Sequence, residues 1–374
     1  MNRRGWLGIA VAGAGAAAAA VTAGLVVERR VVRSRRAGSP GADELGGLRS
    51  EPRVVLTDDG VRLHAEVDEV APYADGAKSR PDTGRRGRRR ETLDEPEPTI
   101  VFVHGYALSL DCWHFQRQFF RGKHRMVFFD QRSHGRSGRS GKEHATIDQL
   151  GDDLLRVVEE LVPEGPVVLV GHSMGGMALM AFAERHPDVF RERVVGAALI
   201  STTAGGLKTH RVVSRLIPDS VGGQIGPRVI AGLALVPGLV DRVRRRGSNI
   251  GFLVADQFAF GGEVPASYVE LVDNMLAATS FEVLAQFFPN FDALDKFESL
   301  ESFAHVPTTI VVGTEDVLTS VGHSRKMAAR MPDSRLVECV GAGHMVIMER
   351  ADKVNAALEE LYAAAVGGST TAVS

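Results

Sequence analysis

Six apolar runs rich in β-branched residues recur along the chain, at 99–105, 126–130, 166–173, 194–201, 308–316 and 335–341. In most of them the apolar residues are consecutive and do not alternate with polar ones, which predicts strands buried on both faces. Helical stretches separate most of the runs, for example 147–162 and 351–365. Continuous apolar strands alternating with helices predict an α/β fold, a mostly parallel central sheet flanked by helices on both faces. Upstream, Arg53–Thr57 and Val61–Val67 read as a strand pair turned at Asp58-Asp59-Gly60.

One stretch breaks the alternation. Residues 205–290 carry helical-looking pieces and no convincing strand, which predicts an inserted all-helical cap over the carboxyl edge of the sheet. The core is then divided into 53–204 and 291–366. Residues 37–52 read as a linker and 367–374 as a disordered tail. Residues 71–98, with GRRGRRR at 84–90 followed by acidic and proline-rich sequence, read as a disordered polar insert.

Composition narrows the function classes. With 44% hydrophobic and 24% charged residues, the 374-residue chain is neither mostly disordered nor a multi-span membrane protein. Cys112 and Cys339 are its only cysteines, too few for a disulfide scaffold or a Cys-rich zinc module. Residues 1–90 hold 17 Lys and Arg against 11 Asp and Glu, whereas residues 91–374 hold 27 against 35. An acidic main body argues against a nucleic-acid enzyme.

The basic quarter contains residues 5–27, which carry no charge. As a helix this run would be roughly 35 Å long, enough to cross a bilayer. Arg3 and Arg4 precede it, and Arg29, Arg30, Arg33, Arg35 and Arg36 follow. The expectation is a single-pass or peripheral cell-membrane protein, with residues 5–27 as a transmembrane helix. The arginine excess places the main domain in the cytoplasm. A signal peptide cleaved near Val21-Thr22-Ala23, giving an exported protein, and a peripheral N-terminal helix are the alternatives.

The chemistry-bearing signal is Gly171-His172-Ser173-Met174-Gly175, between the strand 166–170 and a helical stretch. A serine on a sharp strand-to-helix turn is lifted out of the sheet, and its small neighbours permit the strained turn. The helix start also aims backbone N–H groups at a developing oxyanion. Asp316 ends the strand 308–316, and His344 sits in Gly341-Ala342-Gly343-His344-Met345. Such a histidine can take the serine's proton, and the aspartate can hold its tautomer. Glu315 is the competing acid; it points the other way if the strand continues.

With these motifs in the order serine, acid, histidine, the chain resembles the α/β-hydrolase superfamily, specifically its serine-nucleophile, esterase- or lipase-like members with a helical lid. The resemblance covers about residues 53–365. It implies Ser173 as nucleophile, Asp316 and His344 as its partners, and Glu349 in the usual position after the histidine. His104-Gly105-Tyr106-Ala107 matches the family's oxyanion loop, which implies the backbone N–H groups of Tyr106 and Met174 as donors. His104 and His172 are read as structural. Asp130-Gln131-Arg132-Ser133-His134-Gly135-Arg136-Ser137 resembles the family's D-x-R-G-x-G-x-S loop, with Ser133 in place of the usual glycine.

A serine at the elbow separates the chain from the dehalogenases and epoxide hydrolases of this fold, which use aspartate. The resemblance implies a cofactor-free, metal-free carboxylesterase or lipase acting on a small-molecule or lipid ester; the apolar run at 5–27 and the apolar helical lid favour a lipophilic acyl chain. A cofactor-free haloperoxidase or perhydrolase, a carbon–carbon bond hydrolase and an acyltransferase use the same three residues. A non-catalytic binding protein of this fold is the alternative of another class; such proteins usually lose one of the three.

Overall fold

The computed structural model describes residues 45–71, 96–208 and 258–368. Eight strands form one sheet: β1 (Pro52–Leu56), β2 (Arg62–Asp68), β3 (Thr99–Val103), β4 (Met126–Phe129), β5 (Val167–His172), β6 (Val194–Ile200), β7 (Thr308–Gly313) and β8 (Arg335–Cys339). Their spatial order is β1-β2-β4-β3-β5-β6-β7-β8. β2 pairs antiparallel with both β1 and β4, and all other pairings are parallel. Every residue of β3, β4, β5 and β7 is buried, as their unbroken apolar sequences require. Burying each large apolar side chain stabilises the fold by about 1.5–3 kcal/mol.

The helices, in chain order, are α1 (His114–Phe120), α2 (Ile147–Leu161), α3 (Met174–Arg185), α4 (Pro187–Arg193), α5 (Ala266–Ala278), α6 (Phe281–Phe287), α7 (Pro289–Ala293), α8 (Leu300–Phe303), α9 (Val321–Arg330), α10 (Val346–Glu349) and α11 (Ala351–Gly368). On one face of the sheet α2 buries Ile147, Leu150, Leu154, Val157 and Val158, a helical stripe packed with α3. Thr146 caps α2 by accepting the Gln149 N–H at 3.1 Å. On the other face α11 buries Val354, Ala357, Leu358, Leu361 and Tyr362 against β6, β7 and α1. This places the loops after β5, β7 and β8 together at the carboxyl edge of the sheet, where doubly wound folds build their sites.

Within 205–290 the described residues form α5, α6 and the start of α7, with only an isolated bridge from Gly205 to Asp295. Residues 209–257 of the expected cap, and 72–95 of the expected polar insert, lie outside the described residues. Two boundaries differ from the sequence reading. α11 continues to Gly368, because nothing in its Ala- and Gly-rich end breaks a helix as proline would. The last part of the expected linker is also fixed in place. Gly46 N–H donates to His114 Nδ1 at 3.2 Å, Ser50 N–H to Glu66 at 2.9 Å, and Arg49 pairs with Asp111 at 2.8 Å.

The membrane expectation is corrected. Among the described residues no helix is long and apolar enough to cross a membrane. The run at 5–27 that carried the expectation lies outside the described residues. The transmembrane assignment and the cytoplasmic-side cell-membrane location are therefore withdrawn.

Candidate active site

Ser173 joins β5 to α3 with φ 53° and ψ −119°, a backbone conformation that costs a residue with a Cβ roughly 1–3 kcal/mol. Its surroundings hold it there. The Ser173 N–H donates to the Ile200 carbonyl at 2.9 Å. The Ser173 carbonyl accepts from the Thr202 hydroxyl at 2.7 Å and from the Gly176 N–H at 2.9 Å. A Cβ on Gly171 would stand 2.7 Å from the Gly175 and Gly176 backbone, and one on Gly175 would overlap the Val103 carbonyl. The turn thus closes only with glycine on either side of the serine.

His344 lies in the loop after β8, with Nε2 2.9 Å from Ser173 Oγ and Nδ1 2.9 Å from Asp316 Oδ2. Asp316, in the loop after β7, is almost fully buried. Its Oδ1 accepts the N–H groups of Leu318 at 2.9 Å and Thr319 at 2.8 Å, and its Oδ2 accepts the Thr319 hydroxyl at 2.9 Å. Burial raises the carboxyl's pKa, but the neighbouring His344 and these bonds outweigh burial and leave it below the usual value. An anionic Asp316 can only accept, so His344 carries its proton on Nδ1 and offers Nε2 to the serine hydroxyl. Glu315 is exposed, and its backbone N–H donates to Ala342 O at 2.9 Å.

The other histidines here are neutral braces. His172 is fully buried, which pushes it down to about 3, and its Nε2–H donates to the His344 carbonyl at 3.0 Å. Burial pushes His104 down to about 4; its Nδ1–H donates to Gly105 O at 2.8 Å and its Nε2 accepts the Gln131 N–H at 2.9 Å. Glu349 spans two segments. Its carboxylate accepts the Gly343 N–H at 2.7 Å and the Gly261 N–H at 3.1 Å, tying the segment before α5 to the histidine loop.

The loop after β3 lies directly on the elbow. A Cβ on Gly105 would stand 3.0 Å from Ser173 Cβ. Tyr106 follows Gly105 and Met174 follows Ser173, so the two expected donor residues flank the serine. The motif at 130–137 shows why glycine is usual at its fourth position: Ser133 has φ 64°, in the left-handed region. Thr319 and Thr202 escaped the sequence reading. The spacing Asp316-x-x-Thr319, typical of a side-chain-capped turn, is the signal that could have found the first.

A sequence model described as the alpha/beta hydrolase family matches residues 100–357. The chain belongs to this family. A bifunctional esterase/perhydrolase of Acinetobacter calcoaceticus is 41% identical to this hydrolase over 105 residues, 28% of the chain and 36% of that protein. A monoacylglycerol lipase of Mycolicibacterium smegmatis is 24% identical over 266 residues, 70% of the chain and 85% of that protein. Among solved structures, an esterase from Exiguobacterium antarcticum shares the fold with a TM-score of 0.61 at 16% identity, covering 84% of this chain and 99% of its own.

Aromatic rings cluster around Tyr106 of this hydrolase. The Tyr106 ring meets Phe291 edge-on at 5.1 Å and His134 at 6.2 Å, and His134 meets Phe287 at 5.4 Å. Burial pushes His134 down to about 4, and its Nδ1–H donates to Arg132 O at 2.8 Å.

Proposed function

We propose that this hydrolase cleaves carboxylic esters through a covalent acyl-serine intermediate. The observation that carries the reading is the unbroken chain Ser173 Oγ–His344 Nε2 and His344 Nδ1–Asp316 Oδ2, each link 2.9 Å, with the serine on a strained turn. His344 Nε2 takes the hydroxyl proton as Ser173 Oγ bonds to the ester carbon. The N–H groups of Tyr106 and Met174 stabilise the oxyanion, a contribution of roughly 3–4 kcal/mol per donor. The tetrahedral adduct expels the alcohol, which leaves with the proton from His344. Water then repeats the sequence on the acyl-enzyme and releases the acid. The half-buried Tyr106 ring, on the loop whose Gly105 approaches Ser173, supports a lipophilic acyl group.

A second reading uses the same machinery with hydrogen peroxide in place of water in the second half, giving a peracid. It rests on the relative named an esterase/perhydrolase.

The test is hydrolysis of p-nitrophenyl esters from acetyl to palmitoyl by the full chain, with a fluorophosphonate probe to label the nucleophile. The expected result is turnover with one equivalent of label on Ser173, both lost in Ser173→Ala. A folded protein that neither turns over any ester nor takes the label would overturn the proposal. Added peroxide tests the second reading through peracid formation.

The acid side of the pH–rate profile is expected to be a single-proton limb. The reaction needs the free lone pair on His344 Nε2 to accept the serine proton. His104, His134 and His172 stay neutral down to about 4, 4 and 3 because they are buried, so they add no second proton near neutrality. The log of kcat/KM should therefore fall with slope one; a slope of two between pH 5 and 7 would contradict this.

A further inference from the structure

We infer that the Tyr106 phenol couples the position of helix α6 to the oxyanion loop, so that whatever seats under α6 also sets the oxyanion donor. The inference rests on the reading of Tyr106 N–H as that donor, and it makes the Tyr106 side chain a positioning group for the same residue's backbone.

Three observations converge on it. The backbone of the loop is pressed onto the nucleophile, as the close approach of Gly105 to Ser173 shows. The side chain of the next residue reaches the other way: Tyr106 OH donates to the Leu284 carbonyl in α6 at 2.5 Å, 178 residues further along the chain. The ring between these two ends is held by Phe291 of α7 at 5.1 Å and by His134 at 6.2 Å. Two adjacent residues therefore bridge the site: Gly105 lies on the nucleophile's turn, and the Tyr106 side chain reaches the helical segment.

The loop has reason to need an outside hold. Ala107, immediately after Tyr106, has φ 59°, a left-handed conformation that costs a residue with a Cβ about 1–2 kcal/mol. A loop with such a residue has other backbone conformations of similar energy, and a contact to a separate element selects among them. An acyl group that packs beneath α6 shifts or steadies that helix, and the phenol transmits the change to the oxyanion loop. Acyl groups that reach α6 are then turned over faster for reasons beyond their own contacts.

The hydrogen bond can be removed without breaking the helix. The Leu284 carbonyl also accepts the Phe288 N–H at 3.1 Å, so it keeps a partner when the phenol is gone. Tyr106→Phe retains the ring and both aromatic contacts, and so should fold as the parent does.

The experiment compares Tyr106→Phe with the parent full chain. Steady-state kinetics use p-nitrophenyl butyrate and octanoate, affinity is read with an alkyl boronic acid that forms a tetrahedral adduct on the serine, and amide exchange is followed in the peptide covering residues 104–108. The expected result is a kcat reduced about five- to tenfold, the size of one ordinary hydrogen bond, with KM changed less than twofold. Boronate affinity should fall by the same factor, and exchange at 104–108 should speed up. A KM increase with unchanged kcat would make Tyr106 a pocket wall and overturn the coupling. So would unchanged kinetics with unchanged exchange, or a lower melting temperature as the sole effect. Failure of the underlying reading looks different: Ser173→Ala would keep its turnover. In that case the exchange result still decides whether the phenol holds the loop.

Discussion

Ser173→Gly and Ser173→Ala are both expected to lose ester turnover by at least about 10⁴-fold, yet the glycine variant should melt higher than the alanine variant. Both remove Oγ, and with it the atom that His344 Nε2 approaches at 2.9 Å. They differ in the Cβ they leave at φ 53°, ψ −119°. Glycine reaches this region without steric cost, whereas alanine keeps the clash that the native serine bears. The native turn is held against that clash by the Ile200 carbonyl, the Thr202 hydroxyl and the Gly176 N–H, none of which depends on the side chain at 173. The glycine variant should therefore be the more stable of the two by about 1 kcal/mol, a figure net of the extra freedom glycine has when unfolded. Calorimetry on the two variants checks the stability order, and the butyrate assay checks the loss of turnover. An alanine variant that melts higher would mean the elbow is not strained. A glycine variant within a hundredfold of the parent rate would remove Ser173 from the mechanism.

The strands were legible because burial on both faces leaves short, unbroken apolar runs, and their β-branched residues and flanking turns separate them from buried helices. β3 (Thr99–Val103), β5 and β7 are buried at every position, and all three lie within the apolar runs. Ser173, Asp316 and His344 were legible because each follows a strand in a short loop whose glycines are forced by backbone approach. Gly171 and Gly175 at the elbow are the clearest case. What stayed hidden are contacts between segments distant in sequence. Leu284 gives no sign that its carbonyl will receive the Tyr106 phenol. The Gly261 N–H that meets Glu349 depends on how the segment before α5 docks on the histidine loop. Such partners are fixed only after docking, and local periodicity carries no trace of them. The membrane reading failed for a different reason. It rested on the apolar run at 5–27 and its flanking arginines, which lie outside the described residues, and among the described residues no helix is long and apolar enough to cross a bilayer.

Asp316→Asn is expected to lower kcat/KM by about 10⁴-fold while leaving the fold intact, and the reason lies in the donors around the carboxylate. Oδ1 accepts two backbone N–H groups, from Leu318 and Thr319, at 2.9 and 2.8 Å. Backbone donors cannot reverse, so the asparagine oxygen must take the Oδ1 position and its NH₂ group the Oδ2 position. That NH₂ then faces the Thr319 hydroxyl, which can rotate to accept, and His344 Nδ1, which must now be the acceptor. The imidazole proton is thereby forced onto Nε2, where it points at Ser173 Oγ, and the base loses its lone pair. The variant thus has the right shape and the wrong tautomer, and it also lacks the anion that steadies the imidazolium formed during the reaction. Nitrogen-15 shifts of the His344 ring should show the proton moved from Nδ1 to Nε2, with the melting temperature close to the parent's. Glu315→Gln is the control: Glu315 is exposed, next to Asp316 in sequence, and the change should leave kcat/KM unaltered. Retention of more than a tenth of parental activity by Asp316→Asn would show that the 2.9 Å contact between Asp316 and His344 does not set the tautomer. A large loss in Glu315→Gln would move the acid role to the neighbouring carboxylate.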